Sequence, residues 1–224
     1  MHGKDNNLPD NKKVCTFTMT KQSASMTKGK MFRSAILAGI AIGIAGFGYL
    51  ALGGIAGAVF FSFGLITVIR YKMKLYTGVV GFVQSWNEIP DTFLVLLGNI
   101  VGCLLVGLLA RLSPMDLQGT AQHLLEGRLA NGALRCGGLA IGCGFIVTTS
   151  VQFARQEKWL PLLLGIPLFI LCGFPHCIAD AFYYLTVPFS YLGAHWLEVL
   201  GLYACLVAGN FIGCNLYRLI MWEK

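Results

Sequence analysis

Of the 224 residues, 56% are hydrophobic and only 12% are charged, whereas a soluble domain carries about 25% charged residues. Several apolar runs approach the roughly 20 residues that a helix needs to cross a bilayer. The composition therefore predicts an integral membrane protein of about six spans without a separate soluble catalytic domain. The formal net charge of +7 does not point to nucleic acid, because its distribution follows the expected orientation of the spans.

In chain order, residues 1–30 are polar and basic and contain no long apolar run, which argues against a cleavable signal peptide and predicts a cytoplasmic tail. Residues 31–224 then form the transmembrane domain. The expected spans cover about 32–52, 54–83, 92–109, 132–153, 159–192 and 196–220. Asp91 is a candidate N-cap of the third span, and residues 111–131 are expected to form a polar connection.

The second span is interrupted by the basic segment Arg70-Tyr-Lys-Met-Lys74, which is followed by Leu75-Tyr-Thr-Gly78 and a short apolar piece. Two interpretations remain open. Either the span ends at Ile69 and the basic residues form a cytoplasmic loop, or the chain turns inside the protein and continues as a half-helix.

The fifth span contains Cys172-Gly-Phe-Pro-His176, in which Gly173 and Pro175 predict a helix that ends and restarts near the histidine. Freed backbone groups at such a break are tolerated in a membrane only where protein or a water-filled cavity satisfies them. A broken helix that carries an ionisable residue at mid-membrane depth indicates a transport site.

The third and sixth spans share a motif, Gly98-Asn-Ile-Val-Gly-Cys103 and Gly209-Asn-Phe-Ile-Gly-Cys214, 111 residues apart. Glycines four residues apart lie on one helix face and allow a second backbone to approach closely. With a break in the middle span of each half, the pattern predicts an inverted repeat of about 31–111 and 132–221. The predicted packing residues are Gly98, Asn99, Gly102, Gly209, Asn210 and Gly213.

With the N-terminus inside, 14 of the 17 lysines and arginines fall on the cytoplasmic side of six spans. This split satisfies the positive-inside rule. It predicts a protein of the cell (inner or plasma) membrane with both termini on the cytoplasmic side. The three remaining basic residues are Arg111, Arg128 and Arg135.

Enzymatic and metal-binding chemistry has little support in the sequence. The eight cysteines form no CxxC pair and are interpreted as small buried hydrophobes, so we expect no metal, cofactor or disulfide. An intramembrane enzyme would need a nucleophile or metal constellation, and neither HExxH nor GxSxG occurs. An aquaporin-type neutral-solute channel lacks the Asn-Pro-Ala pair.

The candidate pathway centres on His176 and Thr77. A neutral imidazole and a hydroxyl can each donate and accept hydrogen bonds, and together they can replace the water around a small anion. A buried imidazolium is costly unless an anion lies beside it, so an arriving anion and a proton favour each other. Arg128 either concentrates anions at the outer mouth or is a solvated loop charge, and Asp180 either faces the pathway or binds backbone at the break.

These segments resemble the formate/nitrite transporter family over residues 31–221. Phe174-Pro-His-Cys-Ile-Ala-Asp-Ala-Phe182 is similar to the segment around that family's central histidine, commonly Phe-Glu-His-Ser-Ile-Ala-Asn-Met. Leu75-Tyr-Thr-Gly78 is similar to its Leu-Phe-Thr-Gly loop. The two Gly-Asn-x-x-Gly helices fall where the family has them.

The resemblance implies an all-α, aquaporin-like fold of six helices with broken helices two and five, assembled as a homopentamer with one pore in each protomer. It also implies that His176 is the central histidine, that Thr77 is its partner and that Arg128 stands at the outer entrance. The resemblance further implies an apolar constriction on the outer side and another on the inner side of His176 and Thr77. Their residues are Phe61 and Phe169 on the outer side, and Leu65, Leu75, Tyr76 and Val147 on the inner side.

The chain departs from the family pattern at several positions. Lys74 stands where many relatives carry glutamate, Asp180 replaces asparagine, and Gly144 replaces an asparagine of helix four. The prediction is a channel or proton-coupled transporter in the lipid bilayer for small monovalent anions, formate or nitrite first. Hydrosulfide or another weak-acid anion, and a non-conducting pentameric scaffold, stay open as alternatives.

Overall fold

The structure is a computed structural model that describes residues 26–83 and 85–221, so most of the expected tail lies outside it. The described part contains ten α-helices and two 3-10 turns and no strand, which confirms the all-helical class. The helices are α1 (Lys28–Leu52), α2 (Gly54–Arg70), α3 (Tyr76–Val79), α4 (Ile89–Ala110), α5 (Leu117–Asn131), α6 (Ala133–Ala154), α7 (Leu160–Leu171), α8 (Cys177–Thr186), α9 (Phe189–Ala194) and α10 (Trp196–Ile220). The 3-10 turns cover Val80–Phe82 and Trp86–Glu88.

Within the described residues, four helical segments are long and apolar enough to cross a membrane: α1, Trp86–Ala110, α6 and α10. The apolar helices α2 and α7 are shorter, with 17 and 12 residues. Each of these two is followed by about five residues without helix and then by a short helix, α3 or α8. Each interrupted helix thus lies between two continuous helices of membrane length.

Several expected boundaries are corrected by the structure. Asp91 is not the N-cap of the third span, because Glu88 holds that position and Asp91 lies in the first helical turn. α1 begins at Lys28, four residues before the expected start, where the Thr27 side chain accepts a hydrogen bond from the Lys30 N–H.

Residues 111–131 are not a simple polar connection, since they contain the 15-residue helix α5. The Asp116 side chain caps this helix by accepting a hydrogen bond from the Gly119 N–H at 2.9 Å. Its buried residues Leu117, Ala121 and Leu125 recur every four residues, which is the spacing of one helix face. The stripe is only one residue wide, and it was therefore missed among the polar residues of this segment.

Glycines bring two pairs of helices into close contact, α1 with α4 and α6 with α10. A Cβ added to Gly102 would overlap the carbonyl oxygen of Ile36, and one added to Gly213 would overlap that of Ile141. Gly98 and Gly209 are crowded in the same way by the facing helix. The predicted glycine motifs therefore lie at helix contacts where the backbones nearly touch.

Candidate functional site

The start of α3 is held by the side chain of Asn99, which reaches across from α4. Its Oδ1 accepts a hydrogen bond from the Tyr76 N–H at 2.8 Å, and its Nδ2 donates to the carbonyls of Lys74 at 2.9 Å and Ala35 at 2.8 Å. Asn99 is fully buried. One amide thus satisfies backbone groups of the break and of the helix that follows it, as an interrupted helix in a membrane requires.

The start of α8 is held in the same way by Asn210 of α10. Its Oδ1 accepts from the Cys177 N–H at 2.8 Å, and its Nδ2 donates to the carbonyls of Ala140 at 2.8 Å and Pro175 at 3.1 Å. Gly173 has a φ of 71°, a left-handed conformation that glycine adopts without strain. The two asparagines of the repeated motif therefore fix the two short helices with matching bonds.

The two short helices bring Thr77 and His176 together, although these residues are 99 positions apart. The Thr77 Oγ1 lies 2.9 Å from the His176 Nε2, and both side chains are buried. The His176 Nδ1 accepts a hydrogen bond from the Ala179 N–H at 3.2 Å. Since a neutral imidazole has one donor and one acceptor nitrogen, Nε2 carries the hydrogen and donates it to Thr77.

Aromatic side chains cover this pair on one side. The rings of Phe61 and Phe169 meet edge to face with centroids 6.3 Å apart, and Phe169 lies 5.8 Å from the imidazole of His176. Phe60 and Phe63, two further aromatic residues of α2, are exposed. The six predicted constriction residues are all buried: Phe61, Leu65, Leu75, Tyr76, Val147 and Phe169.

Asp180 and Arg128 form a largely buried ion pair, with 3.2 Å between Arg128 Nε and Asp180 Oδ1. Arg128 also donates to the Gly173 carbonyl at 2.6 Å. Asp180 Oδ2 accepts from the His176 N–H at 3.0 Å, and Oδ1 accepts from the Tyr184 hydroxyl at 3.1 Å. Asp180 thus binds the backbone at the break, and its pairing with Arg128 was not predicted.

A cavity of about 30 Å³ lies beside this network, which is room for about one water molecule. Its lining combines residues of the aromatic cover and of the ion pair. They are Tyr49, Leu124, Arg128, Phe169, Ile170, Phe174, His176, Ala179, Asp180 and Tyr183. Tyr49 and Tyr183, whose ring centroids are 6.0 Å apart, were missed by sequence reasoning.

Basic side chains lie at the first break and next to the helix that follows it. Lys74 is half-buried, while Arg70 and Lys72 are exposed. Arg155 donates to the Gly78 carbonyl at 3.0 Å, and its guanidinium lies 4.1 Å from the ring centroid of Phe82. The basic segment therefore lies in the turn between α2 and the short helix α3, so each of the two interpretations is met in part: the span ends next to Ile69, and a short helix follows.

No group of three or more histidine, cysteine, aspartate or glutamate side chains within residues 26–83 and 85–221 is placed to hold a metal ion. The described cysteines are free thiols, and Cys103 and Cys214 donate to backbone carbonyls near the breaks. The arrangement is suited to binding a small solute by hydrogen bonds inside an apolar enclosure.

Comparison with protein families matches residues 13–222 to the family described as "Formate/nitrite transporter". Two curated relatives are the formate channel FocA of Haemophilus influenzae, 25% identical over 165 residues (63% of this chain and 56% of the relative), and the formate channel FocB of Escherichia coli, 26% identical over 165 residues (65% and 57%). The matched region thus spans little more than half the length of these relatives.

Two solved structures share the fold. A pentameric formate channel with formate bound superposes with a TM-score of 0.76 at 22% identity, covering 89% of this chain and 97% of the other. An FNT family ion channel superposes with a TM-score of 0.71 at 20% identity, covering 84% and 86%. Because the family match covers residues 13–222 of the 224, we conclude that this multi-pass membrane protein belongs to the formate/nitrite transporter family.

Proposed function

We propose that the chain is a channel or proton-coupled transporter for small monovalent anions, formate or nitrite in the first place and hydrosulfide as the alternative. The observation that carries this proposal is the buried contact between Thr77 and His176, at the meeting point of two interrupted helices. Curated relatives described as formate channels support formate as a substrate. The pathway runs from the cavity beside Arg128 past Phe61 and Phe169, and leaves past the inner apolar residues.

The chemistry follows from the enclosure. An anion that passes the rings of Phe61 and Phe169 loses most of its hydration, which is costly in apolar surroundings. The hydroxyl of Thr77 accepts from His176 Nε2 and keeps its own hydrogen free to donate to the anion. A proton that travels with the anion removes the charge altogether, so the uncharged acid passes the constrictions at the lowest cost.

The finer architecture belongs to the same proposal. It has six membrane spans arranged as an inverted repeat, and both termini lie on the cytoplasmic side of a cell membrane. The assembly is a homopentamer. The matching bonds of Asn99 and Asn210 support the repeat. The distribution of lysine and arginine supports the orientation, and the pentameric formate channel with the same fold supports the assembly.

Flux into proteoliposomes tests the proposal. Uptake of formate, nitrite and hydrosulfide is compared at neutral and mildly acidic pH for the wild type, His176→Ala and the control His123→Ala. His123 is exposed on α5 and absent from the cavity lining. We expect selective, pH-dependent uptake that is lost or deregulated in His176→Ala alone. Unchanged transport and pH dependence in that variant would remove the proposed role of His176.

A non-conducting scaffold is the second candidate. It is favoured by the small size of the cavity and by the basic residues Lys74 and Arg155 beside the inner apolar residues. A folded, correctly assembled protein that passes none of the three anions would support it.

A further inference from the structure

The ion pair of Arg128 and Asp180 has a consequence for which solutes enter the chamber, defined here as the cavity beside His176. The carboxylate is 1% exposed and the guanidinium 18% exposed, so water screens the pair poorly. Arg128 and Asp180 are also the charged residues among those that line the cavity, where the positive charge is matched by a negative one.

The contacts of the carboxylate match its ionised form. Asp180 receives hydrogen bonds from three donors, namely Arg128 Nε, the Tyr184 hydroxyl and the His176 N–H. An ionised carboxylate only accepts, and these three donors match that requirement. The three donors therefore favour a negative charge on Asp180, beside the guanidinium of Arg128.

A lone guanidinium at this place would raise the local concentration of every anion, whether it derives from a weak or a strong acid. Paired with Asp180 at 3.2 Å, it presents a dipole, whose field falls off faster than that of a single charge. The chamber thus has hydrogen-bond donors without a surplus of positive charge.

Building on the proposed transport function, we propose that Asp180 is a specificity-determining residue that neutralises Arg128 and keeps permanently charged anions out of the chamber. Anions of weak acids enter because a proton can accompany them. Chloride and nitrate, the anions of strong acids, gain nothing from a neutral chamber and stay excluded. Asp180 acts through Arg128 and does not need to touch the solute.

The test varies the net charge of the pair in both directions. Asp180→Asn leaves it at +1, Arg128→Gln leaves it at −1, and the double variant Arg128→Gln/Asp180→Asn returns it to zero. Tyr184→Phe is the matched control, because it removes one donor to the same carboxylate without changing charge. Each is reconstituted, and chloride, nitrate and formate uptake are measured at low and high ionic strength.

We expect the ratio of chloride to formate uptake to rise on the order of tenfold or more in Asp180→Asn, since an uncompensated buried charge acts strongly in low dielectric. The ratio falls in Arg128→Gln and stays near the wild-type value in the double variant and in Tyr184→Phe. A purely structural role predicts similar impairment in every variant, without regard to the sign of the charge, and that result would overturn the proposal.

Asp180→Asn leaves an unpaired buried cation and is the variant most at risk of misfolding. If that variant does not fold, the wild type, Arg128→Gln and the double variant are compared instead. The charge hypothesis still requires the wild type and the double variant to have similar ratios of chloride to formate uptake, and Arg128→Gln to have a lower one. If the wild type carries no formate, the transport proposal fails first. The charge role is then tested by the rise in unfolding temperature that nitrate causes in detergent. This rise should be larger for the double variant, whose pair is neutral, than for Arg128→Gln, whose pair is negative.

Discussion

The Nδ1 of His176 accepts a hydrogen bond from the backbone N–H of Ala179 at 3.2 Å, so the imidazole is the N-cap of α8 as well as the partner of Thr77. A proton added at Nδ1 would face another N–H at the positive end of a helix. His176 can therefore take up a proton only by giving up its capping bond. Protonation of His176 and the integrity of α8 are therefore linked through one ring.

This double role predicts that capping and transport can be separated by substitution. Asparagine is a preferred N-cap, whereas alanine is not, and loss of a cap costs about 1 kcal/mol. We expect His176→Asn to retain more thermal stability than His176→Ala, while both lose pH-dependent uptake. Thermal unfolding in detergent and proteoliposome flux measure the two effects. Equal stability of the two variants would contradict the capping role.

The hydroxyl of Thr77 is expected to be essential for the contact with His176 Nε2. Thr77→Val keeps the shape but leaves the Nε2 hydrogen of His176 without its partner, at a cost of about 1–3 kcal/mol for a buried group. We expect formate uptake to fall by about tenfold or more. Thr77→Ser keeps a hydroxyl and serves as the control, with uptake close to that of the wild type. Similar uptake by the two variants would exclude the hydroxyl from the pathway.

Asn99 and Asn210 are expected to be structural supports of the two breaks. Each buried side chain makes three hydrogen bonds to backbone, and alanine would leave these backbone groups unsatisfied at about 1–3 kcal/mol for each fully buried one. We expect Asn99→Ala and Asn210→Ala to lower the unfolding temperature strongly and to reduce assembly. Asn87→Ala, at an exposed position, is the control. Unfolding temperatures within the error of that control would refute the clamping role.

Two glycines of α10 allow the close contact between α10 and α6 to be tested with a control in the same helix. Gly213→Ala would drive a Cβ into the carbonyl of Ile141, whereas Gly201 has open space around it. We expect Gly213→Ala to prevent stable folding and Gly201→Ala to be neutral or stabilising, because alanine is the better helix former by about 1 kcal/mol. Size-exclusion profiles and thermal unfolding distinguish the outcomes, and a stable Gly213→Ala protein would contradict the close approach.

The proposed orientation predicts which loops are accessible from outside the cell. Met115 precedes α5 and Gln156 follows α6, and both are exposed. In intact cells, a membrane-impermeant maleimide should label Met115→Cys and leave Gln156→Cys unlabelled until the membrane is permeabilised. The wild type supplies the background of native thiols. Labelling in the reverse order would place the termini outside.

Sequence reasoning failed where a residue's role depends on a distant partner. The Gly-Asn-x-x-Gly motifs predicted helix contacts, but the clamping of Tyr76 and Cys177 by the asparagines required the three-dimensional structure. Asp180 was expected to bind backbone at the break or to face the pathway, and its pairing with Arg128, 52 positions away, had no signal in the chain. Helix α5 had a signal, a four-residue apolar spacing, which its polar composition concealed.

By itself, the sequence determined the membrane class, the interruption after α2, the interruption before His176 and the helix faces that carry glycine. These properties are local, because hydropathy, proline, glycine and helical spacing act within a few turns of the chain. Only the tertiary structure decided that Asn99 and Asn210 hold the short helices and that Asp180 pairs with Arg128. It also placed Thr77 within hydrogen-bond distance of His176, a contact that the family resemblance had implied. Such contacts depend on how the helices pack, and a buried polar group finds its partner wherever that packing brings one within reach.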